Sequence, residues 1–177
     1  MLSHIPASDY GDLRCIVFRQ PKRKEYILLP VWGRLMYAYE FENVQKPAIL
    51  LEAQPNHCQL KWPGRLTLER RNELERLRKD GHVFVADKRD YTVSLTPETI
   101  RATQLYRTLL HEVGHYVQYC RFMKTSLPEF AAMSAEERNN YFRNSVQGEE
   151  KEKSAHAHAD QMREDLLARG VIPFPCM

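Results

Sequence analysis

The chain has 177 residues, enough for one compact domain or a domain with an extension, and a net charge of +3 with both signs interleaved. That mild, mixed charge gives little reason to expect nucleic-acid binding, and no apolar run approaches the ~18 residues of a membrane span. Cys15, Cys58, Cys120 and Cys176 are scattered without a C-x-x-C pair, which excludes a disulfide framework or cysteine metal site on spacing and reads as free thiols.

In chain order, residues 14–19 and 26–29 read as short strands around the turn Pro21-Lys22-Arg23-Lys24. Residues 32–41 are an aromatic-rich run compatible with a strand or a short helix. Residues 48–53 make a compact apolar strand and 60–62 another, before Pro63-Gly64. Residues 66–79 read as a helix with Leu66, Leu74 and Leu77 inward, ended by Asp80-Gly81. Residues 82–86 and 91–95 flank Asp87-Lys88-Arg89-Asp90 as a hairpin. Thr96-Pro97-Glu98 then opens a helix over 96–123, with Thr as N-cap, Pro at the first position and an acid in the first turn. Residues 134–144 and 149–169 add two more helices, and Pro173-Phe174-Pro175 a non-helical tail. The expected organisation is a β-rich N-terminal extension, 1–64, packed on the same core as a second unit, 65–177.

Two basic stretches read as solvated surface. Lys22, Arg23 and Lys24 sit in a turn, while Arg70, Arg71, Arg76, Arg78 and Lys79 alternate with Glu69, Glu73 and Glu75 on a helix. His57 and Cys58 have no partner at ligand spacing and read as structural or incidental. Residues 1–6 lack the charged and apolar regions of a signal peptide, so the expectation is a soluble cytoplasmic protein with no membrane partner.

The informative stretch is His111-Glu112-Val113-Gly114-His115, an H-E-x-x-H motif inside the helix that Thr96 opens. Residues four apart on a helix lie one above the other, so both imidazoles can meet one metal ion while Glu112 reaches a water bound to it. Tyr106, Leu109, Leu110, Val113, Val117 and Cys120 recur at helical spacing as the buried face. Gln104, Thr108, His111, His115 and Gln118 fall on a more polar stripe bordering it. A catalytic zinc takes three protein ligands and keeps a position for water, so a third ligand lies elsewhere. The helix at 149–169 is the candidate: Glu152, Ala155, Ala159, Met162 and Leu166 form one stripe, whose alanines permit a close approach to the motif helix. Gly114 relieves crowding from the other side.

H-E-x-x-H followed by E-x-x-A-x-x-x-A on a later helix resembles the gluzincin branch of the zincin metallopeptidases. The likeness covers residues 96–123 and 149–169. It implies an α+β, zincin-like fold: a small mixed or antiparallel sheet packed on the metal-binding helix and a C-terminal glutamate helix. It also implies one Zn²⁺ per chain held by His111, His115 and Glu152, with Glu112 as general base. Many gluzincins carry Asp directly after the first Ala, where this chain has His156. The acceptor for the motif histidines is then Asp160 or a backbone carbonyl. His156 and Glu149 remain alternatives as third ligand, Glu150 belongs to the outer face, and His158 reads as solvated. His156, Tyr141 and Tyr116 are the candidates to stabilise the oxyanion. In that group the strand before the metal helix pairs with an extended peptide, which here implies 91–95 or 82–86.

The expected activity is therefore hydrolysis of a peptide or protein substrate by a metal-activated water. Two other expectations stand beside it: a catalytically inactive zincin-like binding module, and a DNA-associated regulatory protein that uses the N-terminal segment.

Overall fold

Ala48-Ile49-Leu50-Leu51, the most apolar run of the N-terminal segment, lies in the central strand of a three-stranded sheet, and all four residues are buried. In this computed structural model, which describes residues 1–21, 31–55, 59–125, 130, 132–145 and 148–173, that strand is β3 (Val44–Glu52). It pairs in parallel with β1 (Cys15–Arg19) and antiparallel with β2 (Gly33–Phe41), in the order β1-β3-β2. The β2–β3 connection is a two-residue turn, Glu42-Asn43, with φ of 53° and 60°. Left-handed conformation at both positions matches the twist of a hairpin. This tight turn explains why β3 starts at Val44, ahead of the apolar run that marks it in the sequence. The aromatic-rich run at 32–41 resolves as strand rather than helix.

A second sheet, antiparallel throughout, has the order β4-β6-β5, with β4 (Gln59–Pro63), β5 (Val83–Ala86) and β6 (Asp90–Ser94). The hairpin expected from residues 82–95 is β5–β6. Between β4 and β5 runs the helix α2 (Leu68–Lys79), which begins two residues later than its apolar pattern suggests. Thr67 caps it, its hydroxyl accepting from Arg70 N at 3.3 Å, so Leu66 falls outside the helix. A 3₁₀ turn (Leu2–His4) and a short helix α1 (Ala7–Tyr10) open the chain, and neither has a periodic signature in the sequence.

The motif helix is one helical run in three parts: α3 (Pro97–Thr103), a π-helical stretch (Gln104–Thr108) and α4 (Leu109–Thr125). Its start is a capping box. Thr96 Oγ1 accepts from Thr99 N at 3.3 Å, and Thr99 Oγ1 accepts from Thr96 N at 3.1 Å. Two further helices follow, α5 (Ala135–Ser145) and α6 (Gly148–Ala168). Ser134 caps α5, its hydroxyl accepting from Glu137 N at 3.2 Å while Glu137 accepts from Ser134 N at 2.7 Å.

The architecture is thus mixed α+β, with small sheets and several helices. Its largest core joins Ile5, Ile49 and Leu51 to Leu109, Leu110, Val113 and Val117 of α4 and Ala159, Met162 and Leu166 of α6. Residues from 1–64 therefore share an interior with the motif helix. A second core gathers Trp32, Trp62, Leu77, Val93, Leu95 and Ile100. Each fully buried aliphatic side chain is worth about 1.5–3 kcal/mol. The expected inner face of α4 is seen, except that Cys120 is half-buried.

Two expectations are corrected. Gln104 and Thr108 are buried rather than set on a polar stripe. Gln104 Nε2 donates to the Glu52 carbonyl, and Thr108 lies under Gly33, so the first sheet covers that side of the helix. Of the two strands expected to pair with a peptide, β6 is paired on both sides and offers no edge, whereas β5 lies at the edge of its sheet. The strand beside the motif is β2, from the N-terminal segment. Cys15 and Cys120 are free thiols. No helix among the described residues is long and apolar enough to cross a membrane. The strand expected at 26–29, the basic turn at 22–24, His57, Cys58, Cys176 and most of the proline tail lie outside the described residues.

Candidate metal centre

His111 and His115 leave α4 one turn apart, with ring centroids separated by 4.5 Å and planes at 81°. Glu152, near the N-terminal end of α6, lies across from both. Its Oε2 is 3.3 Å from His111 Nε2 and its Oε1 is 3.3 Å from His115 Nε2. One ligand atom from each of these three residues lies within 4.8 Å of the others.

Local sequence explains how two helices come this close. A Cβ on Gly114 would stand 2.9 Å from the carbonyl oxygen of Ala155 and 3.1 Å from its Cα, so only glycine fits at that crossing. Ala155 and Ala159 are buried on the facing stripe of α6, with Met162 and Leu166 beyond them. Gln118 Nε2 donates to the Lys151 carbonyl at 2.8 Å, which fixes the α6 backbone one residue before Glu152.

The donor set suits a zinc ion. Tetrahedral zinc with bonds of about 2.0–2.1 Å sets its ligand atoms about 3.3–3.4 Å apart, the separation found between Glu152 and each imidazole. Two imidazole nitrogens and a carboxylate are zinc's habitual partners, although manganese, cobalt and nickel accept them too. The neighbouring histidines hold the Glu152 carboxyl far below the usual carboxylate range, so this ligand is already ionised. His111 Nδ1 is buried and has no acceptor among the described residues, and Asp160, one of the two expected sources, is exposed.

Glu112 faces β2, close enough to His111, His115 and Glu152 for their charges to act on its carboxyl. It is buried, and its Oε2 accepts from Leu35 N at 2.7 Å. Burial raises its pKa above the ordinary carboxylate value, against the opposing pull of the two histidines and the Leu35 amide. That moves it toward the range in which a carboxylate serves as a base near neutral pH.

The remaining candidates separate clearly. His156 stays at the centre, its ring centroid 4.2 Å from that of His111 and its Nε2 4.0 Å from Glu152 Oε2. Burial, then repulsion from His111 and Arg76, lowers its pKa to about 4. Tyr116 is turned away, its hydroxyl accepting from Asp12 N at 3.1 Å. Tyr141 packs against Phe122 and Phe130 and does not line the cleft. His158 is half-buried toward Asp9 rather than solvated, with 3.8 Å from Nε2 to Oδ2. Glu149 and Glu150 are exposed at the start of α6.

Of the metal-ligand candidates, His111, Glu152 and His156 line a cleft of about 490 Å³, and His115 does not. Trp32 and Gly33 at the start of β2 and Trp62 of β4 form one wall, and Glu69, Arg70, Glu73 and Arg76 of α2 form another. Arg107 and Thr108 lie next to His111 on the helix. Arg107 is clamped: it donates to Glu73 at 2.9 and 3.1 Å and to Asp80 Oδ2 at 2.6 Å. Burial works against the charge on its guanidinium, but the ion pairs with Glu73 and Asp80 outweigh it and raise the pKa. Gly33 is required by close approach, since a Cβ there would stand 2.8 Å from Thr108 Cγ2 and 2.9 Å from the Leu50 carbonyl oxygen. Sequence reasoning missed Arg107, Arg76, Trp32 and the Leu35 amide. Arg107, four residues before His111, had a helical signal; the others reach the cleft only through tertiary contacts.

No family model, curated protein or solved structure matches this chain.

Proposed function

We propose that this protein is a zinc-dependent metallopeptidase of the zincin type, with His111, His115 and Glu152 as the metal ligands and Glu112 as general base. The observation that carries the reading is Glu152: its two oxygens each stand 3.3 Å from the Nε2 of a different motif histidine, with the buried carboxylate of Glu112 alongside. When bound, zinc supplies a water of near-neutral pKa and polarises the scissile carbonyl. Glu112 has one oxygen fixed by the Leu35 amide, which leaves Oε1 to take the proton from the attacking water and return it to the leaving amine. Leu35 turns its N–H away from β3, and strand alternation turns the Gly33 backbone the same way, toward the cleft. The Gly33 end of that edge, beside the cleft, supports an extended peptide or protein substrate through main-chain hydrogen bonds.

A second reading rests on His156. Its Nε2 lies 4.0 Å from Glu152 Oε2, so a small rotation would add a fourth protein ligand and close the site into a structural one. The protein would then be a binding module without catalysis.

Elemental analysis separates these readings. Protein purified without added metal or a histidine tag carries close to one zinc per chain, and Glu152→Ala carries much less. A wild type that takes up no zinc, even when zinc is added back, would remove the proposal. Retention of zinc by His156→Ala favours the open, catalytic site, and its loss favours the closed one.

A further inference from the structure

The α2 wall of the cleft carries two arginines, Arg70 and Arg76, whose neighbouring carboxylates are largely taken by other partners. Glu73 is committed to Arg107 through two bonds. Asp80 takes the Arg107 Nε at 2.6 Å on one oxygen and Arg163 at 3.4 Å on the other. These two carboxylates are therefore matched by two guanidiniums. Arg76 touches Glu73 only through one long contact of 3.6 Å, and Arg70 forms no ion pair among the described residues. Against these two arginines the same wall offers Glu69, which is exposed. Glu152, the remaining carboxylate of the lining, is turned to His111 and His115, so Arg70 and Arg76 are left with one exposed carboxylate between them.

The position of these arginines matters more than their charge. Arg76 lines the same cleft as His111, Glu152 and His156, its side chain is 34% exposed, and its one ion-pair contact among the described residues leaves most of its five N–H groups uncommitted. The facing wall is the buried pair Trp32 and Trp62. Indole surfaces displace water and strengthen a guanidinium–carboxylate pair relative to one on open surface. An arginine kept beside a reaction centre, with its neighbouring acid already occupied by another arginine, lacks a carboxylate.

We propose that Arg76, assisted by Arg70, is a carboxylate anchor, and that the cleft takes substrates bearing a carboxylate next to the bond presented at His111 and Glu152. The anchor rests on the peptidase reading of the same site. The carboxylate has two sources, an acidic side chain or a free C terminus, and the guanidinium recognises either.

The test uses the full-length, zinc-loaded Glu112→Gln protein and three tryptophan-free hexapeptides of one sequence. One ends in an amide and carries Gln at a central position, one has the free C-terminal carboxylate, and one has the amide with Glu replacing Gln. Binding is followed by the fluorescence of Trp32 and Trp62, the two tryptophans of the chain. At least one carboxylate peptide is expected to bind about tenfold tighter than the neutral one, the gain from one well-formed charged pair. Which one does so identifies the source. Adding Arg76→Gln should erase the difference, and Arg76→Lys should keep part of it, with the melting temperature of the Arg76 variants unchanged. Equal affinities, no binding, or a preference that survives Arg76→Gln combined with Arg70→Gln would overturn the anchor; in the last case the carboxylate sits on the metal. Failure of the peptidase reading looks different: the anchor peptides bind with the expected preference, and wild-type protein cleaves none of the three.

Discussion

Glu112 shows how one buried carboxylate separates catalysis from folding. Its burial is tolerated because the Leu35 amide satisfies one oxygen, and an amide side chain satisfies the same donor. Glu112→Gln should therefore fold and bind zinc like the wild type while losing the proton transfer, a deficit of about 10²–10⁴ in kcat. Zinc content and turnover measured on the same preparation check this, and a variant as active as wild type would remove Glu112 as the base. The four residues of the proposed chemistry were legible from sequence because helical periodicity is local: His111, Glu112 and His115 are fixed by spacing, and Glu152 by its place on an alanine stripe. Asp160, Tyr141 and Tyr116 were candidates by residue type alone. Their side chains face solvent, an aromatic cluster and the Asp12 amide respectively. Arg70 and Arg76 were read as solvated because acids alternate with them in the sequence, and alternation says nothing about which acid another helix will claim.

At the scale of elements, the crossing of α4 and α6 sets the geometry of the centre, and Gly114 sets the crossing. Gly114→Ala gains about 0.8–1 kcal/mol of helix propensity. It also drives a methyl group into the Ala155 backbone, an overpacking cost of about 1–3 kcal/mol, because a carbonyl in a helix cannot step aside as a flexible side chain does. The expected result is a net loss of stability in urea unfolding of the metal-free protein, with zinc affinity lower by about tenfold or more as Glu152 moves away. Unchanged stability and affinity would show that the helices separate freely. Helices and the β5–β6 hairpin were predictable because caps, periodicity and turn residues lie within a few positions of one another. Sheet membership was not: the place of β2 beside the motif helix depends on the pairing of Gly33 with Leu51 and its approach to Thr108, contacts that no local pattern encodes.

For the whole molecule, the proposed ligands join two helices whose positions in sequence are some forty residues apart, so metal binding would be linked to folding. With free zinc at about a thousand times its dissociation constant, the folded state gains about 4 kcal/mol. For a chain of this size that corresponds to a rise of roughly 8–15 °C in Tm. Thermal unfolding with and without a chelator should show this interval in the wild type, and Glu152→Ala should melt at one temperature in both conditions. The mixed α+β character was foreseeable from the alternation of strand-like and helix-like segments. A core shared with residues 1–64 was the expectation, but the part that Ile5 takes in it was not, because Ile5 carries no periodic signature.

The π-helical stretch at Gln104–Thr108 gives this shared interior its phase. A π turn holds one residue more than an α turn, and one residue is about 100° of rotation on a regular helix. Upstream of it, Ile100 faces the core of Trp62, Leu77 and Val93; downstream, Leu109 and Val113 face the core of Ile49 and Leu51. The extra residue thus works as an angular adapter between two sheets that share one helix. Removing a single residue from 104–108 would let the helix run on as regular α-helix, yet it would turn the His111–His115 face by about a quarter of a revolution relative to the end that Thr96 anchors.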